Sequence, residues 1–444
     1  MNRKKLPVII ISILLFTATA AKSQQIQMLT VEEAIAAALK SNYDIQLIKL
    51  DSTSYAIDNS FAIWALMPRF NGVGGRVWNI NNSNIEFNDG RKVERTGVRT
   101  NNLNGSVNLN WTLFDGLRMF ATLNKLEEFQ KLGEYVVKEQ IVNTVAAVIN
   151  NYFNIVRQKQ ELKAIEEQMS VTNERVELAD KRLSVGLGAK PELLQAKVDL
   201  NAQISARLTQ QSLIVVLKEQ LNQLMGKPIS MVYEVTDSIP INPDLQYEAL
   251  RTNLEQSNPT LLVAEKNIDV ARLSLKETKG DLYPVVTFNS SYNFTKINNS
   301  TIVNPNNPII FNQNKGFNYG VTLNVPIMNG FNTRRLIKQG QLSVKMQELN
   351  YQNQLSQLDV RLSNAYKNYL LQKQTLQLEE ENLGLAKENV SIALARFRLG
   401  VSTVLELREA QISLQQAYNR LIAARYNTKL SETELLRIRG SLVY

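Results

Sequence analysis

The 444-residue chain contains no cysteine and no histidine. Disulfides, thiolate chemistry and Cys/His zinc sites are therefore excluded, as is any catalytic scheme that turns on an imidazole. Glycine (19) and proline (11) are sparse for this length, so long segments carry no residue that breaks a helix. Past residue 23 there is no run of 18 or more apolar residues. The sequence thus predicts no transmembrane helix, and entry into a membrane would require a β-barrel. Phosphate-binding signatures are missing too: no GxxxxGK[ST] occurs, and "GVGG" at 72–75 is neither GxGxxG nor followed by a helical pattern. No catalytic residue, metal or cofactor is predicted, and an enzyme is not expected.

What is present begins with an export signal. Arg3, Lys4 and Lys5 precede an apolar run from Leu6 to about Phe16 and then small residues, which reads as a signal peptide over 1–23, cut near Ser23. Its loss removes four cations and lowers the net charge from +9 to +5. So modest a basic excess on an exported chain is no argument for nucleic-acid binding.

The mature chain reads as a duplication. "GSVNLNWTLFDG" from Gly105 returns as "YGVTLNVPIMNG" from Tyr319, with Gly116 opposite Gly330 at an offset of 214. At the same offset Arg182 meets Arg396, Gly186 meets Gly400, Glu192 meets Glu406 and Ala196 meets Ala410. Earlier, Ser41-Asn42 matches Ser257-Asn258 at an offset of 216. These offsets divide the chain into a first repeat at 24–228, a linker at 229–245 and a second repeat at 246–444, each reading helix, strand, loop, strand, very long helix, turn, helix. The long helices, 117–184 and 331–398, contain no proline and would each be about 100 Å long. Helices are also expected near 29–66 and 246–281 before the strands, and at 191–225 and 404–438 after the turns.

The repeated phrases alternate with period two. Leu103, Gly105, Val107, Leu109 and Trp111 oppose Asn104, Ser106, Asn108 and Asn110; Phe317, Tyr319, Val321 and Leu323 oppose Asn318, Thr322 and Asn324. Residues 286–295 alternate as well. Residues 69–80 do not hold one parity, and Gly74-Gly75 is expected to mark a bulge or slip. The polar stretches 81–102 and 298–313 read as surface loops, the first crowded with Arg91, Lys92, Arg95 and Arg99. Four strands cannot close in hydrocarbon without leaving backbone groups unpaired. Three copies give twelve strands and room for a conduit, with the Asn and Ser rows toward water. A soluble coiled-coil adaptor or scaffold is the competing reading. It shares the long helices but has no use for two lipid-length alternating hairpins.

The twofold repeat, the "LFDG" and "IMNG" strand ends and the paired turns Val185-Gly186-Leu187-Gly188-Ala189 and Leu399-Gly400-Val401-Ser402-Thr403 resemble TolC-like outer-membrane efflux proteins. The resemblance covers essentially the whole mature chain. It implies a mixed α and membrane-β fold: a homotrimer whose twelve-stranded barrel in the outer membrane of a Gram-negative cell continues as a periplasmic α-helical barrel. It further implies partners, a periplasmic adaptor and an inner-membrane pump, for which the chain is a passive duct in efflux or type I secretion. Family members often carry a second glycine after the strand end, where this chain has Leu117 and Phe331.

Gly186 and Gly400 stand where left-handed C-caps are expected; by resemblance, the ten turn residues dock the adaptor. Glu406 and Glu409 lie three apart on one helix face, and the resemblance implies that they form a constriction at the tip opening, with Glu192 a weaker candidate. The plainer reading is a capping box from Thr403 to Glu406, first-turn capping by Glu192 after Pro191, and Arg408 pairing locally with its glutamate neighbours. Trp64, Trp78, Trp111, Phe114, Tyr283, Phe317 and Tyr319 fit an aromatic belt at the interface of the outer-membrane lipid, with ordinary core burial the alternative. Arg118, Arg334 and Arg335 follow the strand ends as interface anchors.

Overall fold

A computed structural model of the chain describes residues 27–242, 244–299 and 309–442. The expected signal segment and residues 300–308 of the second loop lie outside these. In chain order the elements are β1 (Gln27–Leu29), α1 (Val31–Ser41), α2 (Tyr43–Ala62), a 3-10 turn (Ile63–Leu66), β2 (Arg69–Glu86), β3 (Lys92–Phe114), α3 (Arg118–Ser184) and α4 (Lys190–Leu224). They continue with β4 (Tyr233–Val235), α5 (Tyr247–Arg251), α6 (Leu254–Ser257), α7 (Pro259–Gly280), β5 (Val285–Asn299), β6 (Phe311–Asn324), α8 (Asn332–Arg398) and α9 (Val404–Arg439). The long helices α3 and α8 have 67 residues each.

The described residues divide into two compact units, one made of 27–42, 144–242 and 369–433, the other of 43–143, 244–299, 309–368 and 434–442. In the first, β1 pairs in parallel with β4, and the core gathers Leu29, Val148, Tyr152, Ile155, Leu217, Leu221 and Tyr233. The two buried tyrosines keep their hydroxyls satisfied: Tyr152 donates to the Leu29 carbonyl at 2.8 Å and Tyr233 to that of Lys218 at 2.9 Å. Lys159 and Lys218 cover the rim of this small sheet. Lys218 donates to Glu234 at 2.8 Å, and Lys159 to Asp237 at 2.8 Å and Glu234 at 3.2 Å. The lysine bond to Asp237 holds that carboxyl below its ordinary value. For Glu234 burial works the other way, and the hydrogen bonds and charges of Lys218 and Lys159 outweigh it, so its pKa is also lowered.

The helical entries are more broken than the sequence predicts. Asn42 is extended, separating α1 from α2, and 246–281 splits into α5, α6 and α7. The matched Ser-Asn pairs explain both breaks. The buried Asn42 donates through Nδ2 to the Leu224 carbonyl at 2.9 Å. Gly226, at φ +63°, lies so close that a Cβ would sit 2.1 Å from the Ser41 carbonyl oxygen. In the second unit Asn258 donates to the Ile438 carbonyl at 2.7 Å, and a Cβ on Gly440 (φ +77°) would meet the Ser257 oxygen at 2.4 Å. Each repeat thus closes on itself by the same clasp.

The second unit holds a four-stranded antiparallel sheet in the order β2-β3-β5-β6, with β2 and β6 at its edges. Pairing is regular through Gly74↔Gly105 and Gly75↔Asn104; the shift lies between Asn81 and Ser83, with another between Thr112 and Phe114. The slip expected at Gly74-Gly75 is therefore wrong, because mixed side-chain parity there reflects residue choice and not backbone register. The expected loop at 81–102 is also wrong in large part. β2 and β3 continue as a hairpin to Glu86↔Lys92, so Lys92, Arg95 and Arg99 are strand residues and only Phe87–Arg91 forms the turn. Within the polar stretch, Arg91 pairs with Asp89 at 2.7 Å and Lys92 with Glu86 at 3.2 Å.

At both strand-to-helix junctions two successive residues are left-handed: Gly116 (φ 71°) with Leu117 (φ 66°), and Gly330 (φ 62°) with Phe331 (φ 60°). The absent second glycine is replaced by a residue that itself takes the left-handed conformation. That leaves a bulky side chain in a conformation that costs about 1 kcal/mol. Gly116 is also locked sterically, since a Cβ there would lie 2.3 Å from the Gly280 oxygen, whereas nothing crowds Gly330.

Candidate pore face and helix-tip docking site

The register sorts the sheet into two chemically different faces, because directly paired residues point the same way. One face carries Phe70–Leu109–Ser290–Tyr319, Gly72–Val107–Tyr292–Phe317 and the Trp111–Phe288–Val321 row. These side chains are extensively exposed, among them Phe317 (67%) and Tyr319 (75%), an apolar patch that calls for a covering phase. The other face is an amide and hydroxyl ladder. Asn110 donates to Asn289 at 2.7 Å, Asn289 to Thr322 at 3.2 Å, and Asn293 to Ser291 at 2.9 Å, while Ser291 meets Asn318. Such a face suits water.

Of the expected aromatic set, Trp78, Trp111, Phe317 and Tyr319 fall on the apolar face by register. Phe114 follows the last register shift and pairs with Val286. Trp111 donates its indole N–H to the Leu66 carbonyl at 2.8 Å. Trp64 and Tyr283 are exposed beyond the strand ends. The arginines after the strands are engaged locally. Arg118 pairs with Asp281 at 3.1 Å, Arg335 donates to Asn332 at 2.8 Å, and Arg334 lies 5.4 Å from the Phe331 ring centre.

In the first unit the two turns have the same backbone. Gly186 and Gly400 both adopt φ +75°. Gly186 N–H donates to Leu183 O and Leu187 N–H to Arg182 O; Gly400 N–H donates to Phe397 O and Val401 N–H to Arg396 O. Both are Schellman caps, which satisfy carbonyls that a helix end leaves open. Val185, Leu187, Leu399 and Val401 project into solvent at 64–82% exposure. An apolar, rigidly capped knob is thus built twice. Gly188, Ala189, Ser402 and Thr403 complete the turns.

The carboxylates differ from the expected capping arrangement. Glu406 N–H does donate to Thr403 Oγ1, at 3.3 Å, but its carboxylate accepts from Ser402 Oγ at 2.7 Å and lies 3.9 Å from Arg396. Glu409 and Glu192 are exposed, and Glu192 N–H caps onto the Ala189 carbonyl at 3.0 Å. Arg408 does not pair with its glutamate neighbours. It reaches Asp199 on α4 at 3.4 Å.

That contact belongs to a cluster missed by the sequence reading. Arg175 on α3 is 2% exposed, pairs with Asp199 and donates to Gln411 Oε1 at 3.2 Å, so one carboxylate ties α3, α4 and α9 together. Its signal is weak in sequence: the repeat equivalents are Asn389 for Arg175, Ser413 for Asp199 and Leu194 for Arg408. Beside it lies a cavity of about 370 Å³ reaching Tyr418. Burial, and then a 2.6 Å hydrogen bond to Glu167, push that phenol well above its ordinary pKa. Across the helix tips Arg182 donates to the Phe397 carbonyl at 2.8 Å and stacks on its ring at 4.6 Å, and Arg398 pairs with Glu174.

A duplicated chain with an open two-faced membrane-type sheet and long capped helices defines a channel protomer. Comparison with known proteins agrees. The profile of the outer membrane efflux protein family matches residues 34–227 and 250–441, and the chain belongs to that family. It is 24% identical over 384 residues to outer membrane protein TolC of Vibrio cholerae, covering 85% of this chain and 83% of that protein. Among solved structures, the Campylobacter jejuni CmeC outer membrane channel superposes with a TM-score of 0.76 at 16% identity, over 93% of this chain and 85% of that one. The outer membrane protein VceC of Vibrio cholerae gives 0.75 at 15% identity, over 92% and 96%. The TolC-like fold is therefore this chain's fold, and its function is that of an outer-membrane efflux channel. The family is one of channels, and the coiled-coil adaptor reading falls away.

Proposed function

We propose that three copies of the chain close a twelve-stranded barrel in the outer membrane of a Gram-negative cell, continued by helices in the periplasm. In this reading repeats 24–228 and 246–444, joined by 229–245, each supply one hairpin and one tip. The observation that carries it is the sheet with two open edges, β2 and β6, and two opposed faces. In hydrocarbon each unpaired backbone group costs several kcal/mol, which pairing β6 of one copy with β2 of the next removes. The asparagine ladder then lines water and the apolar face meets lipid. The duct is passive, and an inner-membrane pump drives export through it by way of a periplasmic adaptor that docks on Val185–Ala189 and Leu399–Thr403. Glu406 and Glu409 narrow the tip opening and favour cations, with Glu192 contributing less.

The test is to express the full chain, separate membranes, extract in mild detergent, measure particle mass and record conductance in planar bilayers. Outer-membrane particles of three chains that conduct are expected; a soluble single chain would overturn the assembly.

A further inference from the structure

Part-way along its strands the apolar face carries three cations, with Trp78 and Phe311 beyond them on the same face. Lys315 stands opposite Phe294, and one step further along the strands Arg76, Leu103, Lys296 and Gln313 lie side by side. Residues 69–80, 99–114, 285–299 and 311–324 contain no Asp or Glu. Among the described residues Arg76, Lys296 and Lys315 make no ion pair. They rest on aromatic rings instead. Arg76 lies 5.0 Å from the Trp78 ring centre and donates to Asn101 at 3.0 Å, Lys296 lies 5.4 Å from Phe311, and Lys315 lies 5.8 Å from Phe294. Such contacts orient a cation without neutralising it. The three heads span the strands from β2 to β6, about 14 Å at the usual strand spacing. That width suits a headgroup with more than one phosphate. Next to them the face is shallow, an open depression over Gly72, Val73, Gly105, Ser106, Val107, Tyr292 and Phe294. The depression exists because Gly72, Gly74 and Gly105 place no side chain on this face, and nothing lies within 4 Å of where their Cβ atoms would be.

We propose that Arg76, Lys296 and Lys315 bind the phosphates of a phosphorylated glycolipid of the lipid A class, with one acyl chain lying over the glycine depression. Unneutralised cations beside an apolar depression are the complement of an anionic lipid. The proposal rests on the apolar face pointing outward in the assembled barrel.

The experiment places the purified full-length channel in phosphatidylcholine nanodiscs doped with diphosphorylated lipid A, or with lipid A stripped of both phosphates, and counts retained glycolipid by native mass spectrometry. Wild type is expected to retain the phosphorylated form only, and R76Q/K296Q/K315Q to bind it at least about tenfold more weakly. Gly105→Phe, which fills the depression, is expected to weaken retention as well. Equal retention of phosphate-free lipid A, or by the triple variant, overturns the phosphate site; unchanged retention by Gly105→Phe overturns the acyl contact. Conductance of the same preparation in pure phosphatidylcholine separates the two levels. A conducting channel indifferent to phosphate refutes the lipid site alone, whereas a chain that neither inserts nor conducts refutes the assembly with it.

Discussion

The turns at Val185–Ala189 and Leu399–Thr403 share one backbone and differ in almost every side-chain contact around it. In the first, Gly188 packs closely on its own helix end, where a Cβ would lie 2.9 Å from Leu183 N and 3.0 Å from Arg182 Cβ, so a side chain there needs a small local shift of the turn. In the second, Ser402 occupies the equivalent position and its hydroxyl donates to Glu406. Arg182 crosses to Phe397 of the other repeat, while its counterpart Arg396 faces Glu406 of its own. Duplication has thus preserved the capped backbone and divided the chemistry: one tip is held by close packing, the other carries a hydrogen-bonded carboxylate.

The largest effect should come from both tips together. Gly186→Arg with Gly400→Arg meets no steric obstacle beyond left-handed strain, so trimers should persist while export of a reporter drug is lost; normal export would contradict docking. Next in size, Asp199→Ala strands the buried Arg175 and should destabilise the first unit by about 3 kcal/mol or more, read as a lowered unfolding midpoint in detergent. Exchanging the fourth turn residues separates the two tips. Gly188→Ser should destabilise its tip by about 1–3 kcal/mol, and Ser402→Gly by about 0.5 kcal/mol, seen as faster amide exchange at the altered turn only. Glu406→Gln with Glu409→Gln should roughly halve cation preference, judged by reversal potential in a salt gradient; an unchanged potential removes the gate role.

The smallest effect concerns acid. Asp237 and Glu234 have lowered pKa values in the folded chain, below the ordinary 3.8 and 4.5. Their contribution is complete above those ordinary values and is lost as pH falls through the folded ones, because the unfolded chain then binds more protons. Lys159→Met should flatten the acid limb of a plot of unfolding midpoint against pH. A limb identical to wild type would show that these ion pairs do not contribute.

The parts legible in sequence were those written periodically or twice. Long proline-free helices, alternating Asn and Val rows, and Gly186 and Gly400 as caps follow from local rules that need no tertiary information. Hairpin length was hidden because Asn81–Asn102 is mostly polar, and its few apolar residues, Ile85, Phe87, Val93 and Val98, hold no sustained alternation, so the strands look like a loop. The Arg175–Asp199–Arg408 cluster was hidden for the opposite reason. It joins three helices, breaks the repeat, and looks in sequence like ordinary surface charge on polar helices. Ser41-Asn42 and Ser257-Asn258 were visible as a match, but only the clasp to Gly226 and Gly440 explains why it holds.

The open edges β2 and β6 have a consequence for inheritance and dosage. In the proposed trimer every copy offers one edge to each neighbour, so a chain whose β6 cannot pair spoils any ring it enters. Mixed in equal amount with wild type, it leaves only about one ring in eight wholly intact. Damage at this edge should therefore be dominant, and its severity should follow the cube of the healthy fraction.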